Sequence, residues 1–404
     1  MPFLHNADVV AELFTLLNVA EQKALRNVNR STVRAFNHAV QLGFVCNQIA
    51  FYGHPDAQME DDASWFPATG MVGDGELDVR IVADPCRAGM ATMHVAQQFG
   101  HEYITLLVSM VLAESMPIAA MVAAACRQQH PTVVSLGLSR LPNLVTIDGR
   151  LLHRCPSMRH FRAAELLNLK SVAFDFSCDS SALETLEFCR LPVLTTIGSC
   201  FAFSCPFLRN LSLIDLPRLE GIGSYFAARS IALATFELRE LPALKTIGPR
   251  FLLGCSGLRY LTLRQLPRLE VINENFAFEC STLEALELSE LPELKRIEAY
   301  ALFKCTSLLH VSLTGLPKLE WIGDHFAASC SALEAVELSG LPELTTVDDY
   351  FVHNCSSLTR LSFSGLPKLG VIGSSFASSC AAIQTLKLSD VPSLKMMDGG
   401  VYSA

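Results

Sequence analysis

Cysteine is the residue type in this sequence whose spacing could most readily support chemistry. Eight of the fourteen cysteines occupy one position of a pattern with a period of 25 residues, namely Cys155, Cys205, Cys255, Cys280, Cys305, Cys330, Cys355 and Cys380. Such a ladder could hold metal ions or cross-repeat disulfides. However, no CxxC or HxxxH spacing accompanies it, and an internal thiol could pair with only one of two neighbours. Serine replaces cysteine at Ser180 and Ser230 and is nearly isosteric with it. We therefore predict reduced, buried, structural thiols.

The elements that carry this ladder follow from the longer pattern L-x-x-L-x-L-x-x-L-P-x-L-x-x-I-G-x-x-F-x-x-x-C. A fixed period in this range is typical of a solenoid, in which each repeat covers the apolar face of the next. A leucine precedes proline in nine copies, at Leu141, Leu191, Leu216, Leu241, Leu266, Leu291, Leu316, Leu341 and Leu366. We predict an α/β repeat fold: a leucine-rich-repeat solenoid of about 11 regular units, one degenerate N-terminal repeat and a small helical N-terminal region.

Each repeat divides into segments with different roles. Apolar residues two apart, such as Leu261 and Leu263, predict a short strand with its neighbours facing outward. Proline suits the following corner, and a glycine then turns the chain in several repeats. The F-x-x-x-C spacing predicts one turn of α- or 3₁₀-helix. Its phenylalanines should form a packed spine: Phe201, Phe226, Phe251, Phe276, Phe326, Phe351 and Phe376.

The outward strand positions carry the widest variety of side chains at equivalent places. Aromatic and arginine side chains are the commonest interface hot spots, and a strand ladder holds its outward side chains rigidly. We predict that a protein target binds this strand face at Glu237, Arg239, Tyr260, Arg264, Glu287, His310, Glu337 and Arg360.

The segment after the proline alternates charge along two columns. One column contains Glu220, Lys245, Glu270, Lys295 and Glu320, and the other contains Arg268, Glu293, Lys318, Glu343 and Lys368. Exposed pairs of this kind contribute little individually, but the pattern opposes a slip by one repeat. We interpret this face as structural.

The N-terminal third is less regular. We predict a helical region over 1–50, a loop-rich connector over 51–103 with one helix from about Asp84 to Phe99, a degenerate capping repeat over 104–130, and the solenoid over 131–404. The apolar run from Ile104 to Cys126 has the length of a membrane span. Glu114, Ser115 and Pro117 lie at its centre, so we favour the capping repeat.

Composition narrows the function classes. The chain has 404 residues, 50% of them apolar and 18% charged, and a net charge of −9, which argues against nucleic acid as a partner. The amino terminus lacks the pattern of a secretory signal, so a cytoplasmic location, or the nucleus, is expected. The histidines are scattered and the acids follow the repeat. We therefore predict no enzyme activity, no cofactor, no metal site and no membrane attachment.

The combination I-G-x-x-F-x-x-x-C-x-x-L-x-x-L-x-L resembles BspA-type leucine-rich repeats over about 104–404. The resemblance implies binding rather than chemistry, as a scaffold for a protein target. Since some BspA-type proteins lie on cell surfaces, it also implies a surface or adhesion protein as one alternative.

A second resemblance concerns residues 8–43. The run VVAELFTLLNVAEQKALRNVNRSTVRAFN is similar to the F-box, although the opening Leu-Pro is absent and Thr32 or Val33 stands at the usual tryptophan position. The resemblance implies a substrate receptor of a cullin ubiquitin ligase, which would bind a Skp1-like adaptor through Leu13, Leu17, Leu25 and Val28.

Overall fold

The computed structural model describes the chain continuously over residues 158–397. It also describes residues 46–53, 76–83, 90–99, 102–111, 132–139, 144–147, 149 and 151–156. The predicted N-terminal helices over 8–43, with Leu13, Leu17, Leu25 and Val28, lie outside the described residues. The described part of the chain is built from strands and turns, and it has no helix that could cross a membrane.

The chain divides into two compact units. One comprises Met1–Pro142 with Ser157–Ala163, and the other comprises Asn143–Pro156 with Ala164–Ala404. The regular repeats belong to the second unit.

Five strands of one sheet belong to the first unit: β1 (Cys46–Gly53), β2 (Glu76–Ala83), β3 (Met90–Phe99), β4 (Glu102–Val111) and β5 (Thr132–Ser139). Strands β1, β4, β3 and β2 pair antiparallel in that order, and β2 pairs parallel with β5. Strands β3 and β4 are paired up to Phe99, which lies opposite Glu102.

Two predictions for this unit are wrong over the described residues. The helix predicted to end near Phe99 is replaced by β3, because pairing along the whole length of β4 satisfies its backbone. The capping repeat predicted over 104–130 would need a parallel rung, but β4 pairs antiparallel on both sides. Strand also extends into the predicted helical region at Cys46–Ala50.

From residue 146 onward, strands of two and five residues alternate along the chain. They are β6 (Thr146–Ile147), β7 (His160–Ala164), β8 (Ser171–Val172), β9 (Thr185–Cys189), β10 (Thr196–Ile197), β11 (Asn210–Ile214), β12 (Gly221–Ile222), β13 (Thr235–Arg239), β14 (Thr246–Ile247), β15 (Tyr260–Arg264), β16 (Val271–Ile272), β17 (Ala285–Ser289), β18 (Arg296–Ile297), β19 (His310–Thr314), β20 (Trp321–Ile322), β21 (Ala335–Ser339), β22 (Thr346–Val347), β23 (Arg360–Ser364), β24 (Val371–Ile372), β25 (Thr385–Ser389) and β26 (Met396–Met397).

The repeats stack in register to form a parallel β-solenoid of about ten turns with a repeat of about 25 residues. The short strands form one 11-stranded parallel sheet from β6 to β26. Among the long strands, β9 pairs with β11, β13–β15–β17 form a three-stranded sheet, and β19–β21–β23–β25 form a four-stranded sheet. The predicted solenoid with a repeat of about 25 residues is confirmed, with about ten turns rather than the 11 regular repeats predicted.

The apolar pattern places one row of side chains inside. In β13, Phe236 and Leu238 are buried, whereas Thr235, Glu237 and Arg239 are exposed. Fully burying a large aliphatic or aromatic side chain contributes about 1.5–3 kcal/mol. Repetition of this pattern in every rung makes the interior a continuous apolar core.

The proline corner is a β-turn in each repeat. The amide of Leu219 donates to the carbonyl of Leu216 over 3.1 Å, and equivalent bonds follow Leu241, Leu266 and Leu316. Proline thus occupies the second position of the turn, where its fixed φ is favourable and its missing N–H costs nothing.

The segment carrying phenylalanine is not the predicted helical turn. Its non-glycine residues alternate into the left-handed region, with φ of 57° at Tyr225, 51° at Ala227 and 60° at Arg229. This backbone bonds to the neighbouring rungs: Tyr225 donates to Pro249 O and Arg229 to Leu253 O, on one side, and Ala227 donates to Phe201 O on the other. Inter-rung hydrogen bonds therefore replace the helical ones.

The phenylalanine spine packs ring on ring behind this segment. Ring centroids of Phe201, Phe226 and Phe251 are 5.2 Å and 5.0 Å apart, with interplanar angles of 2° and 7°. Phe276 continues the stack at 5.5 Å, and Phe326 stacks with Phe351 at 5.2 Å. The predicted spine is present, with buried Ala301 at the equivalent position between these two runs.

Candidate functional site

The eight residues predicted to bind a target all project outward from long strands and are exposed. In the three-stranded sheet, Thr235, Tyr260 and Ala285 are register partners, as are Glu237, Thr262 and Glu287. Arg239 lies beside Arg264 in the same sheet. His310, Glu337 and Arg360 belong to the four-stranded sheet. The strands thus place each group of outward side chains on one rigid surface.

Tyr260 is the large aromatic residue of this face, with 46% of its surface exposed. Its hydroxyl donates to Glu284 Oε2 over 3.0 Å, and Arg259 pairs with the other oxygen of that carboxylate at 2.7 Å. These bonds from Arg259 and then Tyr260 lower the pKa of Glu284. A ring held in one orientation loses less conformational entropy when a partner covers it.

The two neighbouring arginines each have a carboxylate close by. Arg264 Nε lies 2.9 Å from Glu290 Oε1, and this hydrogen bond raises the pKa of Arg264. Arg239 Nε lies 3.9 Å from Glu237 Oε1. Like charges on adjacent strands repel, so these carboxylates allow both arginines to face the solvent together.

The other part of the predicted site offers unpaired side chains. No hydrogen bond or ion pair is formed by the side chains of His310, Glu337 or Arg360 within the described part of the chain. Their strand neighbours are small, with Ser312 beside Glu337 and Ala335 between His310 and Arg360. A ligand could therefore reach these three side chains without displacing an internal partner.

Sequence reasoning missed two exposed aliphatic side chains near this face. Ile214, the last residue of β11, is 55% exposed, and Leu309, just before β19, is 42% exposed. The sequence already indicated that the position of Ile214 is exposed, since the polar residues Arg239 and Thr314 occupy it in other repeats. Arg259 and Glu284 occupy the position of Leu309.

The alternating charges after the proline pair along the columns as predicted. Lys245 Nζ lies 2.9 Å from Glu220, Lys295 lies 2.9 Å from Glu270, and Lys318 lies 2.7 Å from Glu293. In every case the cation bonds to the acid one rung earlier in the chain. Because these side chains are exposed, solvent screens each pair and its contribution to stability is small.

The cysteine ladder has a specific hydrogen-bonding role. Cys255 Sγ donates to Ala227 O over 3.1 Å, and Cys280 donates to Leu252 O over 3.1 Å. The hydroxyl of Ser230 makes the same bond to Ala202 O over 2.9 Å, and Ser180 bonds to Leu152 O. Cysteine and serine therefore interchange here because both donate to a buried carbonyl of the preceding rung.

The ladder thiols are free and buried, as predicted. Burial raises the pKa of Cys255 to about 12 and that of Cys330 to about 12, which keeps both thiols neutral near pH 8. Within the described residues, no group of three or more histidine, cysteine, aspartate or glutamate side chains is arranged to hold a metal ion.

We expect Cys255 and Cys330 to resist alkylation in the native protein at pH 8 without reductant, and to react fully after unfolding. The reactive species is the thiolate, which a raised pKa and burial both suppress. Peptide mapping after labelling measures this, and half-buried Cys200 serves as the internal control that reacts earlier. Stoichiometric zinc, or several disulfides in the unfolded unreduced protein, would contradict the structural role.

These features define the class of the protein: a leucine-rich-repeat solenoid with an exposed parallel strand face. The chain belongs to the family described as BspA type Leucine rich repeat region, which matches residues 176–290 and 271–397, more than half of its length.

Two solved structures are similar to this chain. A leucine-rich repeat protein from Bacteroides ovatus ATCC 8483 is 15% identical, with 86% of this chain and 82% of that chain covered and a TM-score of 0.37. A leucine rich cell surface protein from Faecalibacterium prausnitzii A2-165 is also 15% identical, with 59% and 80% covered and a TM-score of 0.24. No functionally curated protein matches the sequence.

Proposed function

We propose that this protein is a non-enzymatic scaffold that binds a protein target on its strand face. The observation that supports the proposal most directly is the common exposure of eight variable side chains on the long strands. A preorganised aromatic residue, Tyr260, stands at one part of this surface, and unpaired charges at Glu337 and Arg360 stand at another. Such a mixture of aromatic, arginine and acidic groups is typical of a protein interface.

Binding rather than catalysis is the role we assign, because members of this family are repeat scaffolds. The solenoid satisfies its own backbone along every rung, so the outward side chains are the part free to vary with the target. We place the protein in the cytoplasm. Cell fractionation tests this location against a cell-surface position, which is the alternative for a protein of this family.

The substrate-receptor alternative rests on the resemblance of residues 8–43 to the F-box. The family match begins at residue 176 and does not reach that segment. We therefore do not propose a ubiquitin-ligase role.

Site-specific photo-crosslinking in the native host tests which face binds the target. A photoreactive amino acid at Ser312, an exposed strand-face position, should capture a discrete protein. The same amino acid at Val371, an exposed position of short strand β24, is the matched control and should capture none. Capture from Val371 alone would overturn the assignment of the face.

A further inference from the structure

The third residue of the proline turn forms a column whose charges obey a simple rule. Lys318 pairs with Glu293 at 2.7 Å, and Lys368 pairs with Glu343 at 2.6 Å. Each cation in the column thus bonds to the acid one rung earlier. Arg268 belongs to the same column, so its expected partner is residue 243.

The rule fails for two arginines because their acids are missing. Residue 243 is alanine, and residue 193, the expected partner of Arg218, is valine. Both arginines are exposed, and neither makes an ion pair in the part of the chain that the structure describes. The acids two residues after them in the adjacent column, Glu220 and Glu270, are already bonded to Lys245 and Lys295.

The small side chain of Ala243 leaves a cleft of about 480 Å³ between the two arginines. The rings of Pro217 and Pro242 contribute apolar surface to its lining. Glu220, whose carboxylate is bonded to Lys245, also lines the cleft. The cleft therefore combines two unpaired guanidinium groups, proline surface and one carboxylate that already has a cationic partner. It lies on the proline turns, and none of the predicted strand-face residues lines it.

The distance between the two arginines of the cleft indicates the kind of ligand that fits. Arg218 and Arg268 are two rungs apart, and at the spacing of parallel strands this separation is about 10 Å. An extended polyproline II peptide has three residues per turn and rises about 3.1 Å per residue, so side chains three residues apart lie on one side about 9 Å from each other. Two carboxylates at that spacing match the two guanidinium groups, which bind carboxylates through paired N–H donors.

We infer that this cleft binds an acidic segment of a partner protein in the polyproline II conformation, with two carboxylates three residues apart. Proline residues between the carboxylates would lie against Pro217 and Pro242. A nucleic acid fits less well, because a polyanion needs many cations, whereas this site has two and the chain carries a net charge of −9.

Fluorescence anisotropy with the full-length chain and labelled synthetic peptides tests the inference at low ionic strength. A peptide containing Glu-Pro-Pro-Glu should bind at least about fivefold more tightly than one containing Gln-Pro-Pro-Gln or one with a single glutamate, since charge-assisted bonds are the strong ones. Arg218→Ala and Arg268→Ala should each remove that advantage. Lys368→Ala is the matched control, because it deletes a cation of the same column that already has a partner, Glu343, well away from the cleft.

A second variant restores the missing acid. Ala243→Glu gives Arg268 its column partner and fills the cleft, so peptide binding should be lost, whereas Ala243→Ser should retain it. Equal binding by all peptides, or an unchanged affinity in Ala243→Glu, would overturn the inference. Competition by inorganic phosphate as strong as that of the peptide at equal concentration would also overturn it, by showing a site for one anion. Tyr260→Ala/Arg264→Ala should bind the peptide normally, which separates this test from that of the strand face.

Discussion

Replacing Phe226 with alanine is expected to lower the free energy of unfolding by about 3–5 kcal/mol, the usual cost of truncating a fully buried phenylalanine. The side chain is 0% exposed and stacks between Phe201 and Phe251. Phe236 contacts it from β13 with ring centroids 5.7 Å apart. Alanine would therefore remove buried surface and break aromatic contacts to three neighbours. Guanidinium denaturation followed by circular dichroism measures the loss.

Phe207→Ala is the control for this variant, because Phe207 is 56% exposed and its truncation should change stability only slightly. Neighbouring rungs stabilise one another in a solenoid, so the loss at Phe226 should also weaken amide protection in the rungs on either side. Ala301 shows that one rung can carry alanine at this position when the surrounding residues are selected for it. A cost below that of Phe207→Ala would show that the ring stack contributes nothing.

The sequence was sufficient to predict the solenoid because the same pattern of apolar residues recurs in every repeat. Inward pairs such as Leu261 and Leu263 recur at the same interval. Shifting the strand register by one residue would therefore expose the apolar side chains of every rung. The buried cysteine ladder was predictable for a related reason. The exchange of Cys255 for Ser230 in adjacent repeats already indicated a small buried donor, although its acceptor carbonyl could not be inferred from sequence.

The phenylalanine segment was not predictable from local pattern. Its F-x-x-x-C spacing is that of one helical turn, and residues such as Tyr225 and Arg229 rarely adopt positive φ. A left-handed residue costs about 1–2 kcal/mol, which the inter-rung bonds to Pro249 O and Leu253 O offset. Long-range hydrogen bonding thus overrides local preference. The same applies to β3, whose partner strands decide its conformation.

The candidate sites differ in how far the sequence could define them. Outward strand positions follow from the alternation of apolar and polar residues, so the sequence alone could assign Tyr260 and Arg360 to the outer face of the long strands. The arginine cleft could be recognised only once it was known that each cation of the column pairs with the acid one rung earlier. The structure shows this in pairs such as Lys318 and Glu293. Ala243 then marks the position at which the acidic partner of Arg268 is missing.

The double substitution Tyr260→Ala/Arg264→Ala is expected to weaken binding of the captured target by about 2 kcal/mol or more, roughly 30-fold in Kd. It removes the exposed ring held by Glu284 and the guanidinium held by Glu290. Both side chains project from β15 into solvent, so their loss should leave the core intact. Titration of the target against wild-type and variant protein measures the change, with circular dichroism to verify folding.

Reversing the charges of Lys295 and Glu320 on the short-strand side is the control for this prediction. Lys295 bonds to Glu270 in an exposed pair that solvent screens, so its reversal should change stability little and hardly change target affinity. The comparison is informative because both double variants alter exposed side chains on rungs close together but on different faces. If the reversal abolishes target binding while Tyr260→Ala/Arg264→Ala has no effect, the target lies on the short-strand side. The strand face would then serve only to cover the core.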